Sequence, residues 1–342
     1  MAERIKVGVI GVGALGAAHA RAYSQLPSCR LSAVYDIDDE RNRRTASEYS
    51  VPICRDLDDM LSHCEAVSIV TPTDTHCAIA INAINRAKHV FIEKPVAASV
   101  AEAEKLIETA TSRGVVAAVG HIERFNPAFL AVREELGDPR FIEAHRLNRF
   151  SPRGLETAVI LELMIHDIDL VLSIVDSPIV EIRAAAVPVV SDTDDIANCR
   201  LLFENGCVAN LTASRISAQP MRKLRIFTRD RYASLDLKEK NAELYRLFRK
   251  SSRQVELPPR YTAVLDAGNK HIARLGVIIG QGDMLAAELD DFLTAVARKA
   301  KPRVGLTEGA KALAVALDIH RAAKEHRRHA SAAAPPQTGP EG

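Results

Sequence analysis

The amino-acid sequence predicts an α/β chain in two parts: an N-terminal doubly wound parallel sheet, then a C-terminal α+β domain built on a mostly antiparallel open sheet. Three observations carry this. An apolar run, Ile5–Ile10, empties into Gly11-Val12-Gly13-Ala14-Leu15-Gly16, and a second run at 31–35 ends in Asp36, 20 residues beyond Gly16. Strand and helix patterns then alternate to about residue 120, as a parallel sheet with helices on both faces requires. Beyond Pro127 strand-like runs follow one another with few helices between them, which implies antiparallel pairing.

In the opening strand, turn and helix, Gly11 permits the tight turn, Gly13 lets backbone approach a pyrophosphate, and Gly16 brings the helix close to the sheet. The helix, with Ala14 and Leu15 in its first turn and apolar positions at Leu15, Ala18, Ala22 and Leu26, aims its unpaired N–H groups at the phosphates. This is the Rossmann dinucleotide fingerprint. Asp36, with Ile37 beside it, selects the cofactor: a carboxylate accepts hydrogen bonds from a ribose 2′-hydroxyl and repels a 2′-phosphate, so NAD is expected.

Further strands are expected at 51–53, 66–70, 89–92 and 115–119. The fourth strand ends in Thr71-Pro72-Thr73-Asp74, where Pro72 stops the strand and Asp74 is placed to cap the next helix. The fifth ends in Glu93-Lys94-Pro95. Ligands of such sheets lie beyond the carboxyl ends of the strands, so both turns, with His76 in the intervening helix, are expected to border the cofactor.

After Pro127 the expected order is a short helix to Leu136, a strand at 142–147, a helix at 159–175, and strands at 180–189, 197–203, 207–214, 223–228 and 233–237. Helical periodicity returns at 284–299 and 307–326, in segments expected along the domain junction. Boundaries are placed at 1–122, 123–330 and 331–342. The last stretch, rich in Ala, Pro and Gly, has too little apolar bulk to offset its ordering entropy and is expected to be a mobile tail.

Composition narrows the function. With 342 residues, 47% of them hydrophobic, the chain can bury two cores. Lys+Arg 45 against Asp+Glu 44 leaves a net charge of +1, so no global field attracts nucleic acid or an anionic membrane, and the expected partner is a small molecule. The cations His320, Arg321, Lys324, Arg327 and Arg328 are interspersed with Asp318 and Glu325 and read as a solvated helix end. Met1 runs into the first strand within a few residues and no 18-residue apolar run exists, so a cytoplasmic location is expected. The six cysteines show no CxxC pairing, and His63-Cys64 and His76-Cys77 match no common zinc spacing, so no metal is expected.

Two constellations could carry chemistry. Lys94 follows the apolar run 90–92 and precedes Pro95, which holds it extended and can form a cis bond. Partly desolvated at the sheet edge, its amine would have a lowered pKa and could exchange a proton with a substrate hydroxyl. In the greasy helix at 161–169, Glu162, His166 and Asp169 share one face while Asp167 points away. Between them lies Gly120-His121-Ile122-Glu123-Arg124-Phe125-Asn126-Pro127, also at the cofactor edge. Arg124, Arg149 and Arg153 are the cations available for a phosphate or carboxylate.

The glycine fingerprint, Glu93-Lys94-Pro95 and the Glu162-x-x-x-His166 step, in this order and spacing, resemble the Gfo/Idh/MocA oxidoreductases. Segments 120–127 and 165–169 are similar to the UDP-N-acetylglucosamine 3-dehydrogenase branch of that family. The resemblance implies an NAD-dependent dehydrogenase of a sugar hydroxyl, with Lys94, His166 and Glu162 catalytic and with Lys94, His121, Glu123, Arg124, Phe125, Asn126, Arg149, Arg153 and His166 around the substrate. Glu162 stands where many relatives have an aspartate. The resemblance further implies a homodimer or homotetramer and a 3-keto product passed to an aminotransferase for diamino-sugar synthesis. A dehydrogenase of a free sugar, inositol or other cyclic substrate is the alternative. A non-catalytic NAD-sensing regulator is another, against which Lys94 and His166 argue.

Overall fold

A computed structural model describes residues 4–152, 154–249, 259–267 and 270–333. By contact, the chain divides into two compact units, one from residues up to Leu130 with Ile279–Ala314, the other from Ala131–Ile278 with the chain from Val315 on.

The first unit alternates as the pattern predicts: β1 (Ile5–Ile10), α1 (Ala14–Gln25), β2 (Cys29–Tyr35), α2 (Asp39–Tyr49), α3 (Leu57–Ser62), β3 (Ala66–Ile69), α4 (Thr73–Asn85), β4 (His89–Glu93), α5 (Val100–Arg113) and β5 (Ala117–Gly120). The strands form a parallel sheet in the order β2-β1-β3-β4-β5. Val9 lies opposite Val34 on one side and Ser68 on the other. Every residue of β3 is buried, which is why these strands read as continuous apolar runs rather than alternating ones. The strand expected at 51–53 is only a single bridge, Val34 to Ile53, because Pro52 has no N–H to extend a ladder. Asp74 lies in the first turn of α4, whose N-cap position is Pro72; there its carboxylate suits the helix dipole without capping.

After β5 come a 3-10 turn, Ile122–Phe125, and α6 (Pro127–Arg133). The second unit holds β6 (Phe141–Leu147), a π-helical turn Ile160–Met164 that runs into α7 (Ile165–Leu172), then β7 (Ile179–Val187), β8 (Ile196–Phe203), β9 (Val208–Ser214), β10 (Met221–Phe227), β11 (Arg231–Asp236), β12 (Asn241–Arg249), β13 (Tyr261–Ala267) and β14 (Lys270–Leu275). Among the described residues they form one nine-stranded sheet, β13-β14-β12-β11-β10-β6-β9-β8-β7. All neighbours are antiparallel except β6 and β9, which run parallel. In β6, Ile142, Ala144 and Arg146 are buried and the residues between them are not, the period of a sheet covered on one face. Strands β12 to β14 were not among the expected ones. Arg246, Arg274 and Glu243 interrupt their apolar pattern, and the two arginines are engaged in ion pairs on the sheet surface.

Helix α8 (Met284–Arg298) belongs to the first unit. Its Leu289, Phe292, Leu293 and Val296 bury in one cluster with Val7, Val9, Tyr23 and Phe91, and the Phe292 ring meets Phe91 edge-on at 5.9 Å. Full burial of such side chains is worth about 1.5–3 kcal/mol each, so α8 is part of the core of that unit. Helix α9 (Leu306–Ala333) runs through Ser331, which composition assigns to the tail; 334–342 lie outside the described residues. No described helix is long and apolar enough to cross a membrane.

Candidate active site

The strand ends of the first unit converge on the glycine turn. Gly11 has φ +84°, and a Cβ there would lie 2.6 Å from the Val70 carbonyl oxygen; a Cβ on Gly16 would lie 1.8 Å from that of Gly11. Both positions therefore exclude any side chain. Gly13 differs, since a Cβ there would meet no protein atom within 4 Å. The space above Gly13 is open, as it must be if a ligand rather than the protein requires the glycine. Helix α1 starts there with no side-chain cap, leaving its first N–H groups for an anion. Ala14 and Leu15 are exposed at this mouth.

Asp36 is nearly buried at the end of β2 and is aimed by backbone: Oδ2 accepts from the Val12 N–H at 2.7 Å and Oδ1 from the Asp38 N–H at 2.9 Å. Each oxygen keeps a lone pair for a ribose hydroxyl. Ile37 is 92% exposed beside it. An open glycine, an uncapped helix and a fixed carboxylate together fit a dinucleotide without a 2′-phosphate.

The turn after β4 is braced from below. The Lys94–Pro95 bond is cis. His76 on α4 is buried and spans two turns, with Nδ1 2.9 Å from the Pro95 carbonyl and Nε2 2.8 Å from the Thr71 carbonyl. Burial pulls its ring below the ordinary histidine value, opposed by those two carbonyls. Thr71, Thr73 and Lys94 are half-buried, Pro72 is exposed and Pro95 is buried. Glu93 turns inward, its Oε2 accepting the Lys94 N–H at 3.2 Å. A Cβ on Gly120 would lie 2.9 Å from the Glu93 carboxyl, so β5 ends in glycine to make room for it.

Segment 120–127 is more buried than its polar residues suggest. His121, Glu123, Arg124, Phe125 and Asn126 are all at most 6% exposed. Asn126 Nδ2 donates to Glu123 Oε2 at 2.9 Å, and its Oδ1 accepts the Ala128 N–H at the start of α6. The Arg303 guanidinium lies over the Phe125 ring at 5.3 Å.

In the second unit, Glu162 falls in the π-helical turn and His166 in the first turn of α7; both are half-buried. Asp169, expected on their face, is buried. The wider π turn replaces the uniform helix expected at 159–175, and such turns recur at functional sites. Asp167 does point away: both its oxygens receive the Arg146 guanidinium of β6, at 2.9 and 2.7 Å, in a buried fork-to-fork pair. That pair anchors α7 to the sheet. Arg149 is exposed just after β6, its Nε donating to the Ala218 carbonyl at 3.1 Å. Arg153 lies outside the described residues.

Three residues of these surroundings escaped the sequence reading. His19 and Arg146 sit at positions that periodicity marks as core, so a core assignment absorbs them; Arg215 follows a strand end with no motif around it. A buried cation or imidazole in a run of apolar residues was the available signal.

Known proteins share this architecture and its motifs. Residues 5–121 match an oxidoreductase family with an NAD-binding Rossmann fold, and residues 130–232 match the GFO/IDH/MocA C-terminal domain. The chain is 39% identical over 316 residues to a UDP-N-acetylglucosamine 3-dehydrogenase of Acidithiobacillus ferrooxidans, covering 92% of this chain and 96% of that protein. A solved structure of the same enzyme gives a TM-score of 0.83 at 37% identity, over 94% of this chain and 99% of the other. An inositol 2-dehydrogenase of Rubrobacter xylanophilus is 33% identical over 49% of this chain and 51% of its own length.

Proposed function

The chain belongs to the GFO/IDH/MocA oxidoreductase family, and from that premise we propose that this NAD-dependent sugar dehydrogenase oxidises the 3-hydroxyl of UDP-N-acetylglucosamine. One observation carries the substrate: likeness to a dehydrogenase of that sugar nucleotide runs through 92% of this chain and 96% of the relative at 39% identity, whereas the inositol dehydrogenases that the chain resembles are 25–33% identical over 48–64% of it.

In this reading Gly11, Gly13, Ala14, Leu15 and Gly16 cradle the pyrophosphate, Asp36 and Ile37 border the ribose, and the turns carrying Thr71, Pro72, Thr73, His76, Glu93, Lys94 and Pro95 line the cofactor. Bound NAD supplies the hydride acceptor. Lys94 takes the proton of the substrate hydroxyl, with its backbone N–H held by Glu93. His166 is the second proton-handling group and Glu162 a hydrogen-bond acceptor. Arg149 is the exposed cation for the diphosphate. Arg124, with His121, Glu123, Phe125 and Asn126, backs the site from its buried position. The 3-keto sugar nucleotide is then a substrate for an aminotransferase, and the chain works as a homodimer or homotetramer.

The test is to incubate purified protein with NAD and UDP-N-acetylglucosamine and to seek, by mass spectrometry, a product lighter by two hydrogens, alone and with a sugar-nucleotide aminotransferase that removes it. Turnover of myo-inositol or a free sugar, with none of UDP-N-acetylglucosamine under either condition, overturns the substrate assignment.

A further inference from the structure

Arg215 lies directly after β9 and is only 4% exposed. Its guanidinium gathers three separate stretches of the second unit. Nη1 donates to the Gly154 carbonyl at 2.5 Å and lies 3.3 Å from Glu162 Oε2. Nη2 donates to the Asp194 carbonyl at 2.9 Å and also to the Thr157 carbonyl. Nε lies 3.4 Å from Asp195 Oδ1.

The two carboxylates around this cation are not equivalent. Asp195 is fully buried, and its Oδ2 accepts the N–H groups of Val189, Val190 and Ser191 at 2.7, 2.7 and 3.0 Å, while Oδ1 accepts the Ser191 hydroxyl at 2.7 Å. It is fixed independently of Arg215 and serves as its anchor. Glu162 is the opposite case, 29% exposed at the side chain and carried on the π-helical turn. Its carboxylate also occupies the space over Gly154: that residue has φ +72°, and a Cβ on it would lie 2.7 Å from Glu162 Oε1. An aspartate at 162 would end one methylene short of this arrangement. Glutamate at 162, glycine at 154 and arginine at 215 are thus mutually fitted.

We propose that Arg215 is a positioning residue of the dehydrogenase, tying the Glu162 carboxylate and the 154–157 turn into one body so that Glu162 presents a fixed acceptor to a substrate hydroxyl. The proposal rests on the reading of Glu162 as a substrate-site residue. The length of the glutamate brings its carboxylate into ion-pair contact, through Nη1, with a buried guanidinium that backbone carbonyls hold in place. Proton transfer is then left to Lys94 and His166. An ion pair to a part-exposed carboxylate adds little to stability by itself, so the value of this one lies in geometry, where a misplacement of about 1 Å costs on the order of 100-fold in rate.

The experiment compares Arg215→Met, Arg215→Lys, Glu162→Gln and the double variant Arg215→Met/Glu162→Gln with the native protein. Hydrogen exchange read by mass spectrometry, without substrate, is expected to quicken at amides of 154–162 in Arg215→Met and in Glu162→Gln alike. Unchanged exchange in Glu162→Gln overturns the tie, and this arm stands even if Arg215→Met does not fold. In steady-state assays with UDP-N-acetylglucosamine and, in parallel, myo-inositol, Arg215→Met and Glu162→Gln each lower kcat about tenfold or more with the Kd for NAD unchanged. Arg215→Lys, which keeps the charge but not the fork, recovers only part of the loss. The double variant is expected to be no worse than Arg215→Met; losses that multiply overturn the proposal. If neither sugar turns over, the substrate assignment fails, and the exchange result alone decides the tie.

Discussion

His19 and Glu93 are paired in the interior of the first unit: His19 Nε2 lies 3.0 Å from Glu93 Oε1, with His19 wholly buried and Glu93 8% exposed. Burial acts to raise the Glu93 carboxyl; the hydrogen bond and charge of His19, together with the Lys94 charge, outweigh it and hold the group below the ordinary glutamate range. Because Glu93 also accepts the Lys94 N–H, His19 supports the Lys94 turn through Glu93, and His76 supports it through the Pro95 carbonyl. His19→Leu leaves a buried carboxylate without its partner and is expected to cost about 3–5 kcal/mol of stability. His19→Gln, which keeps a donor, should cost less. Urea denaturation of both variants checks the order; equal losses would remove the pairing as the cause.

Asp36 is expected to set cofactor choice. Asp36→Ala removes the acceptor for a ribose hydroxyl and the repulsion of a 2′-phosphate, so NAD should bind more weakly and the margin over NADP should narrow. Fluorescence titration of both cofactors measures it, and native protein that holds NADP more tightly than NAD contradicts the assignment.

Lys94→Met and His166→Asn should each lower kcat by about 10²- to 10⁴-fold, the usual contribution of a general acid–base group, while NAD still binds. Turnover assays paired with calorimetric NAD titration separate the two effects. A fully active Lys94→Met variant excludes the lysine from proton transfer.

Asp195 gives the second unit an acid-sensitive contribution. Burial acts to raise its carboxyl, but three backbone N–H groups and the Ser191 hydroxyl outweigh it and pull the group down to about 2. A folded value below the unfolded one of about 3.9 means that the contribution is complete above pH ~4 and is lost as pH falls toward 2. Asp195→Asn should therefore lose about 1–3 kcal/mol near neutrality and show a flatter decline of Tm between pH ~4 and ~2 than the native protein. Parallel declines would show that the charge of Asp195 is not the source.

The parts of the site that were legible are those whose physics is local. Gly11 and Gly16 are dictated by a turn in which one residue's carbonyl fills the other's side-chain space, and Asp36 ends its own strand. Lys94 is restrained by the proline that follows it. The π-helical turn at Ile160–Met164 was not legible, because an apolar helical pattern does not reveal one residue's widening of a turn. Nor were β12 to β14, whose outward arginines find carboxylate partners only once the strands are paired.

Local pattern along the chain was enough to fix a parallel sheet that ends in a dinucleotide turn and an NAD-selecting acid, with a second, mostly antiparallel sheet after it. Strand and helix periods, glycine dihedrals and proline restraints act over a few residues, so they can be read along the chain. What stands behind each functional group came from the folded chain: His19 behind Glu93, Arg146 behind Asp167 and Arg215 behind Glu162. Those pairs join distant parts of the chain, 74 positions apart in the case of His19 and Glu93. Desolvation rewards such a pair only where the fold closes over both partners, and the order of strands in the sheet, a long-range property, fixes which partners those are.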